Sequence, residues 1–248
     1  MKNGKLSSLY LVSCVLFVSC FLYLGSLSVE AMGGSAPAKP AVSAGATGPV
    51  FLIDNFESGN LKSPRDWWTF DIKTADIASN KSYKGGDTKV ANEVGNYSLL
   101  FQGTAKNWYA GGAGTYLAKE GQDLSKYSSF QIDIYGNGPG SGTFKIELLD
   151  DDNNNWQCEQ DPKKSYTPVY DDKFVYDVRV DWTGWKRLVI PFADFVDDNP
   201  TVGDDVWNPS QSGASGGLLQ VQFICLGGSD KGNINLNVDN VSLSTSKE

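Results

Sequence analysis

The chain has 248 residues, 40% hydrophobic and 20% charged, enough for one sizeable core and too few for two large domains. Its formal net charge of −8, from 21 basic and 29 acidic residues, excludes the basic footprint of nucleic-acid binders and of proteins that dock on anionic membranes. The absence of histidine removes the usual general base and the commonest metal ligand.

Lys2 and Lys5 precede an uncharged apolar run over 9–27, followed by Ser28-Val-Glu-Ala31. This pattern predicts an export signal over 1–31, with cleavage after Ala31. Two alternatives stay open. Cys14 and Cys20 each follow a Val-Ser pair, as in lipoprotein cleavage boxes, and a run of roughly 19 residues is near the length that spans a bilayer. Each alternative puts the rest of the chain outside the cytoplasm, and the last two leave open attachment to a membrane. Residues 32–49 are rich in Pro, Ala and Gly and read as a spacer.

From residue 50 to 248 the pattern is that of strands. Alternating runs fall at 51–56, 98–102, 128–135, 143–149, 173–180, 186–192, 218–226 and 234–243, with shorter ones near 68–72 and 112–117. In the clearest, Phe130, Ile132 and Ile134 share one parity, against Gln131, Asp133 and Tyr135. One apolar and one polar face per strand predicts an all-β fold, a two-sheet antiparallel β-sandwich of jelly-roll type. Gly136 to Gly140, Asp150 to Asn155 and Gly227 to Gly232 supply the turns. No long helix is expected, and one short helical turn fits 191–195. Trp67 and Trp68 differ in parity, so one is expected inside and the other outside. Cys225 falls on an apolar parity and reads as a buried residue; a disulfide with Cys158 is the alternative.

The opening Leu52-Ile-Asp-Asn-Phe-Glu57 and the closing Asn233 to Leu243 flank further segments at 114–117, 123–130 and 181–195. In this order they resemble galactose-binding-like jelly rolls, in particular family 11 carbohydrate-binding modules and CIA30-type domains. The resemblance covers 50 to 245. It implies a structural calcium held by Glu57, Glu93, the Asn96 carbonyl and Asp239, a set of oxygens such as that cation prefers. It also implies that Arg179 and Asp181 line a concave sugar-binding face.

Sugar rings need aromatic faces for their C–H groups and paired polar groups for their hydroxyls. Strand parity offers Asp133, Tyr135, Glu147, Asp177 and Gln222 as polar candidates, with Trp156 and Trp182 at strand ends. Seven tryptophans exceed what packing alone asks of such a sandwich. Trp185, beside Leu188 and Ile190, reads as core. The acidic run Asp150 to Asn155 reads as an irregular loop. No nucleophile elbow, HExxH or phosphate loop occurs. The sequence reading is therefore a non-catalytic, extracytoplasmic protein that binds a polysaccharide or oligosaccharide. Alternatives are an extracellular sandwich with a protein partner and, lower, a glycan hydrolase or lyase using a carboxylate pair such as Asp133 and Glu147.

Overall fold

The computed structural model describes residues 48–117, 122–164, 166–212, 215–227 and 232–245. The expected export segment, and the spacer up to residue 47, lie outside the described residues. Within them, no helix is long and apolar enough to cross a membrane.

The strands in chain order are β1 (Val50–Asp54), β2 (Trp67–Phe70), β3 (Thr74–Ser79), β4 (Tyr97–Thr104), β5 (Tyr109–Tyr116), β6 (Ser129–Asn137), β7 (Thr143–Asp151), β8 (Gln160–Asp161), β9 (Thr167–Pro168), β10 (Asp172–Arg179), β11 (Thr183–Pro191), β12 (Val196–Asp197), β13 (Gly217–Leu226) and β14 (Asn233–Ser244). One helix, α1 (Thr88–Glu93), lies between β3 and β4. The expected turn near Pro191 is a 3-10 turn at Phe192–Asp194.

The first six-stranded sheet runs β11-β6-β14-β4-β3, with β1 beside β14, and the second runs β12-β10-β7-β13-β5-β2. All their pairings are antiparallel. The expected two-sheet sandwich is thus the observed one. First and last strands meet directly, with Val50 opposite Ser244 and Asp54 opposite Val241. Backbone hydrogen bonds therefore close the domain.

Alternation fixes which residues fill the space between the sheets. Phe130, Ile132 and Ile134 of β6 face inward and meet Phe144, Ile146 and Leu148 of β7, all fully buried. Phe223 is the hub, stacked on Trp67 at 5.4 Å between centroids and tilted against Phe144 at 4.8 Å. Each such side chain stabilises the fold by about 1.5–3 kcal/mol through its burial. Cys225 sits in this core and Cys158 is separate; both are free thiols.

The outer face of the first sheet departs from the expectation. Gln131, Asp133 and Tyr135, the polar parity of β6, are all buried. The segment from Tyr83 to Val94, with α1 in it, lies over Asp133 and Tyr135. Asp87 starts the helix by accepting from the backbone N–H groups of Lys89 (2.9 Å) and Val90 (3.2 Å), the usual N-cap arrangement. Val90 and Val94 then pack on Tyr135 and Trp185, making a second small core. Trp185 is a core residue, as expected, but of this second cluster, on the parity opposite Leu188 and Ile190.

Candidate functional site

The outer face of the second sheet is open. Strand register places Glu147 of β7 beside Gln222 of β13, and Lys145 beside Ile224. Beyond them, β13 pairs with β5, whose facing residues are Gly112 and Gly114, and β5 pairs with β2, which presents Trp68 and Phe70. Together they floor and wall a cleft of about 1230 Å³.

The glycines shape this floor. A Cβ on Gly114 would lie 2.5 Å from the Trp68 ring. Only a residue without a side chain lets that indole lie down over β5. Trp68 also packs on Tyr116, at 5.2 Å between centroids, and Trp108 packs on Tyr109 at 5.8 Å. Tyr166 lines the cleft with Gln160 and Thr167, where the short β8–β9 pair borders it. Trp108 and Tyr166 are 63% and 62% exposed, more than packed aromatic residues normally are, and both line the cleft.

Charges in the cleft are balanced. Lys173 reaches both Asp198 (2.7 Å) and Glu147 (3.9 Å), and Lys145 faces Asp177 at 3.7 Å. Burial holds the Glu147 carboxyl above its ordinary range, while Lys173 and Lys145 pull it down. Burial, then the Asp71 carboxylate that its hydroxyl donates to at 3.0 Å, push the Tyr109 phenol upward. Tyr109 is therefore a fixed donor. Gln220 and Gln222 add amide donors and acceptors. The arrangement offers flat rings beside paired polar groups, with three charges of each sign: Lys106, Lys145 and Lys173 against Asp71, Glu147 and Asp198.

The nine expected binding residues divide into three groups. Glu147 and Gln222 line the cleft. Asp177 and Arg179 share its face, opposite Lys145 and Thr143 on β7, but both stand exposed outside the cleft lining. The other five lie elsewhere. Asp133 and Tyr135 belong to the first sheet under α1, so Asp133 and Glu147 are on opposite outer faces and cannot form a catalytic pair. Trp156 lies in the loop after β7, its backbone N–H on Asp151 at 2.6 Å. Trp182 packs against the core and donates from Nε1 to the Ile134 carbonyl at 3.4 Å, with the Lys186 ammonium over its ring at 4.6 Å. Asp181 is exposed beside it. Parity reasoning missed Trp108 and Tyr166 because they lie outside regular alternation. Trp68 was legible: Trp67 is buried and Trp68 half-buried, as their parity required.

The expected calcium set does not assemble. Glu57 accepts from the backbone N–H groups of Asn96 and Tyr97, both at 2.7 Å, and from Asn96 Nδ2 at 3.0 Å. The Asn96 carbonyl accepts from the Asn80 N–H at 2.8 Å. Glu93 is taken by Arg187, which bridges it to Asp133, each contact at 2.7 Å. Asp239 is fully buried, and burial, followed by neighbouring Asp133 and Glu57, pushes its carboxyl up to about 9. Arg187 thus occupies the cationic role for the carboxylates under α1. Among the described residues, one group of three acids has oxygens mutually within 4.8 Å, and it is a different one: Asp150, Asp152 and Asp172.

No family model matches this sequence, and no curated protein matches it. Among solved structures it is similar to the family 11 carbohydrate-binding module of the cellulosomal cellulase Lic26A-Cel5E of Clostridium thermocellum. That similarity has 17% identity over 82% of this chain and 98% of the module, with a TM-score of 0.45. A family 11 module from the same organism, in complex with a β-1,3-1,4-mixed-linked tetrasaccharide, gives 19% identity over 83% and 99%, with a TM-score of 0.45. CBM27-1 of Caldicellulosiruptor saccharolyticus, in complex with mannohexaose, gives 12% identity over 81% and 99%, with a TM-score of 0.39. The fold stands on the strand pairing of this chain itself, and no functional residue is carried over from these proteins.

Proposed function

We propose that this chain is a non-catalytic glycan-binding protein whose second sheet takes a neutral polysaccharide or oligosaccharide in its cleft. One observation carries the reading: exposed Trp108 and Tyr166 stand with Trp68 and Tyr116 around a floor containing Glu147, Gln220 and Gln222. Large exposed rings lining a concave surface are costly to leave in water and suit the C–H face of a pyranose. The polar floor supplies partners for hydroxyls.

A hydrolase would use a raised carboxyl such as Glu147 together with a second carboxylate. Its nearest candidate partner, Asp198, is held by Lys173 at 2.7 Å, and Lys173 also draws on Glu147. Both acids are thereby engaged by one ammonium and do not stand as a free carboxylate pair, which supports binding over hydrolysis. We further propose that the protein works outside the cytoplasm, supported by the basic and apolar residues at its N-terminus. The mass of the mature chain distinguishes a cleaved signal from an anchor or a lipid-modified form.

Affinity electrophoresis and calorimetry against β-glucans, xylans, mannans and galactans test the main reading. Binding to at least one class is expected, without release of reducing ends. Trp108→Ala should weaken it by at least about tenfold, the scale of a central aromatic anchor. Trp182→Ala should leave affinity unchanged apart from any loss of folded protein. Blank results across all four classes would remove the proposal, and release of reducing ends would replace it with an enzyme.

A further inference from the structure

The acidic run at the end of β7 is not among the residues lining the cleft. Asp150 of β7 and Asp172 of β10 are direct cross-strand partners, and both side chains are fully buried. Like charges facing each other across a ladder are destabilising even at a surface. Asp152 joins them, and one oxygen of each carboxylate lies within 4.8 Å of the other two.

The hydrogen bonds divide each carboxylate in the same way. Asp150 Oδ2 accepts from the Asn208 N–H (2.9 Å), Asp152 Oδ2 from the Asp172 N–H (2.9 Å), and Asp172 Oδ2 from the Val206 N–H (3.1 Å). The three Oδ1 atoms are buried and have no partner. These acids form no ion pair with any lysine or arginine among the described residues. An orphaned buried carboxylate oxygen costs far more than a solvated one. Three in one place are relieved either by taking up protons or by a shared cation.

The backbone also approaches the group closely. Gly203, in the left-handed region at φ +76°, closes over the group. A Cβ there would fall 2.2 Å from Asp172 Oδ1 and 2.3 Å from Asp152 Oδ2. Asp152 is only partly buried and gives solvent a route to the group.

We propose that Asp150, Asp152 and Asp172 hold a divalent hard cation, calcium, beneath the 199–208 loop. Calcium–oxygen distances of about 2.3–2.6 Å put two ligands on opposite sides of one ion about 4.6–5.2 Å apart, so the observed spacing accommodates a shared ion. All-oxygen ligands exclude softer metals. The ion would join β7 and β10 to the loop that runs from β12 towards β13.

The experiment uses the full chain, stripped with chelator and titrated with calcium chloride, with magnesium chloride in parallel. Calcium bound per chain is read by equilibrium dialysis and thermal midpoint by calorimetry. At free calcium about a hundredfold above the dissociation constant, the midpoint should rise by about 5–10 °C. Magnesium should give a smaller shift, because it demands a tighter octahedral shell. Asp152→Asn, at the solvent side, should fold and bind calcium at least about tenfold more weakly. Asp172→Asn should do the same and melt no lower than the wild type in chelator, since it removes a facing like charge. A wild-type chain that neither binds calcium nor shifts its midpoint overturns the proposal. So does an Asp152→Asn chain that binds calcium as the wild type does.

Discussion

Arg187 shows how a single side chain sets the character of one whole face. Its guanidinium makes two parallel hydrogen bonds to Asp133, Nε to Oδ1 and Nη2 to Oδ2, each at 2.7 Å, and Nη1 reaches Glu93. Asp133 is fully buried, and burial raises its carboxyl while Arg187 opposes that shift. Asn240 Nδ2 completes the shell at 2.9 Å. Removing one partner of a buried pair leaves an uncompensated charge, whereas replacing both with apolar groups is often neutral. Arg187→Met should therefore destabilise the domain by about 3–5 kcal/mol in urea denaturation. The double replacement Arg187→Met with Asp133→Leu should recover most of that loss. Glycan affinity of the folded fraction should be unchanged in both, because this pair faces away from the cleft.

At the scale of elements, strand alternation was legible because it follows directly from the period of a pleated backbone. The runs containing Phe130, Phe144, Val178 and Phe223 all became strands with their apolar parity inside. What alternation could not reveal is which outer face stays wet. Asp133, Tyr135 and Glu147 read alike in sequence, yet α1 covers the first two and leaves the third in a cleft. That helix has only six residues, too few for a periodic signal, and its start depends on one side chain, Asp87. Edge strand β3 was also silent, since Ala75 and Ile77 are its main apolar residues and both are half-buried. The glycine-rich sequence of β5 was visible as composition, but its purpose depends on the neighbouring strand. Trp68 lies over Gly114 only because β2 pairs there. Gly114→Ala should push the indole off the floor while sparing the core, which lies on the other face. A fall in glycan affinity of about tenfold, with a thermal midpoint within a few degrees of wild type, is the expected outcome. Equal affinity would mean that Trp68 is not part of the binding surface.

For the whole molecule the question is how so acidic a chain could bind the neutral glycan proposed for it. The net charge of −8 is unevenly used. Asp150, Asp151, Asp152, Asp171 and Asp172 gather at one end of β7 and β10, while the cleft sets Lys145 and Lys173 against Glu147 and Asp198. A locally balanced cleft exerts little net field on a ligand, so long-range steering contributes little to association. Stacking on Trp68, Trp108, Tyr116 and Tyr166 and hydrogen bonding to Gln220 and Gln222 are short-range and hardly screened. Salt attenuates interactions between exposed charges separated by more than about 10 Å at 0.1 M. Affinity for a neutral β-glucan or mannan should consequently change by less than about twofold between 50 and 500 mM sodium chloride, measured by calorimetry in buffers free of borate. A uronate polymer held by Lys106, Lys145 and Lys173 would instead lose affinity steeply over the same range. A steep slope for the best ligand would therefore shift the assignment of the cleft to an anionic glycan, with the lysines, not the rings, as its main determinants.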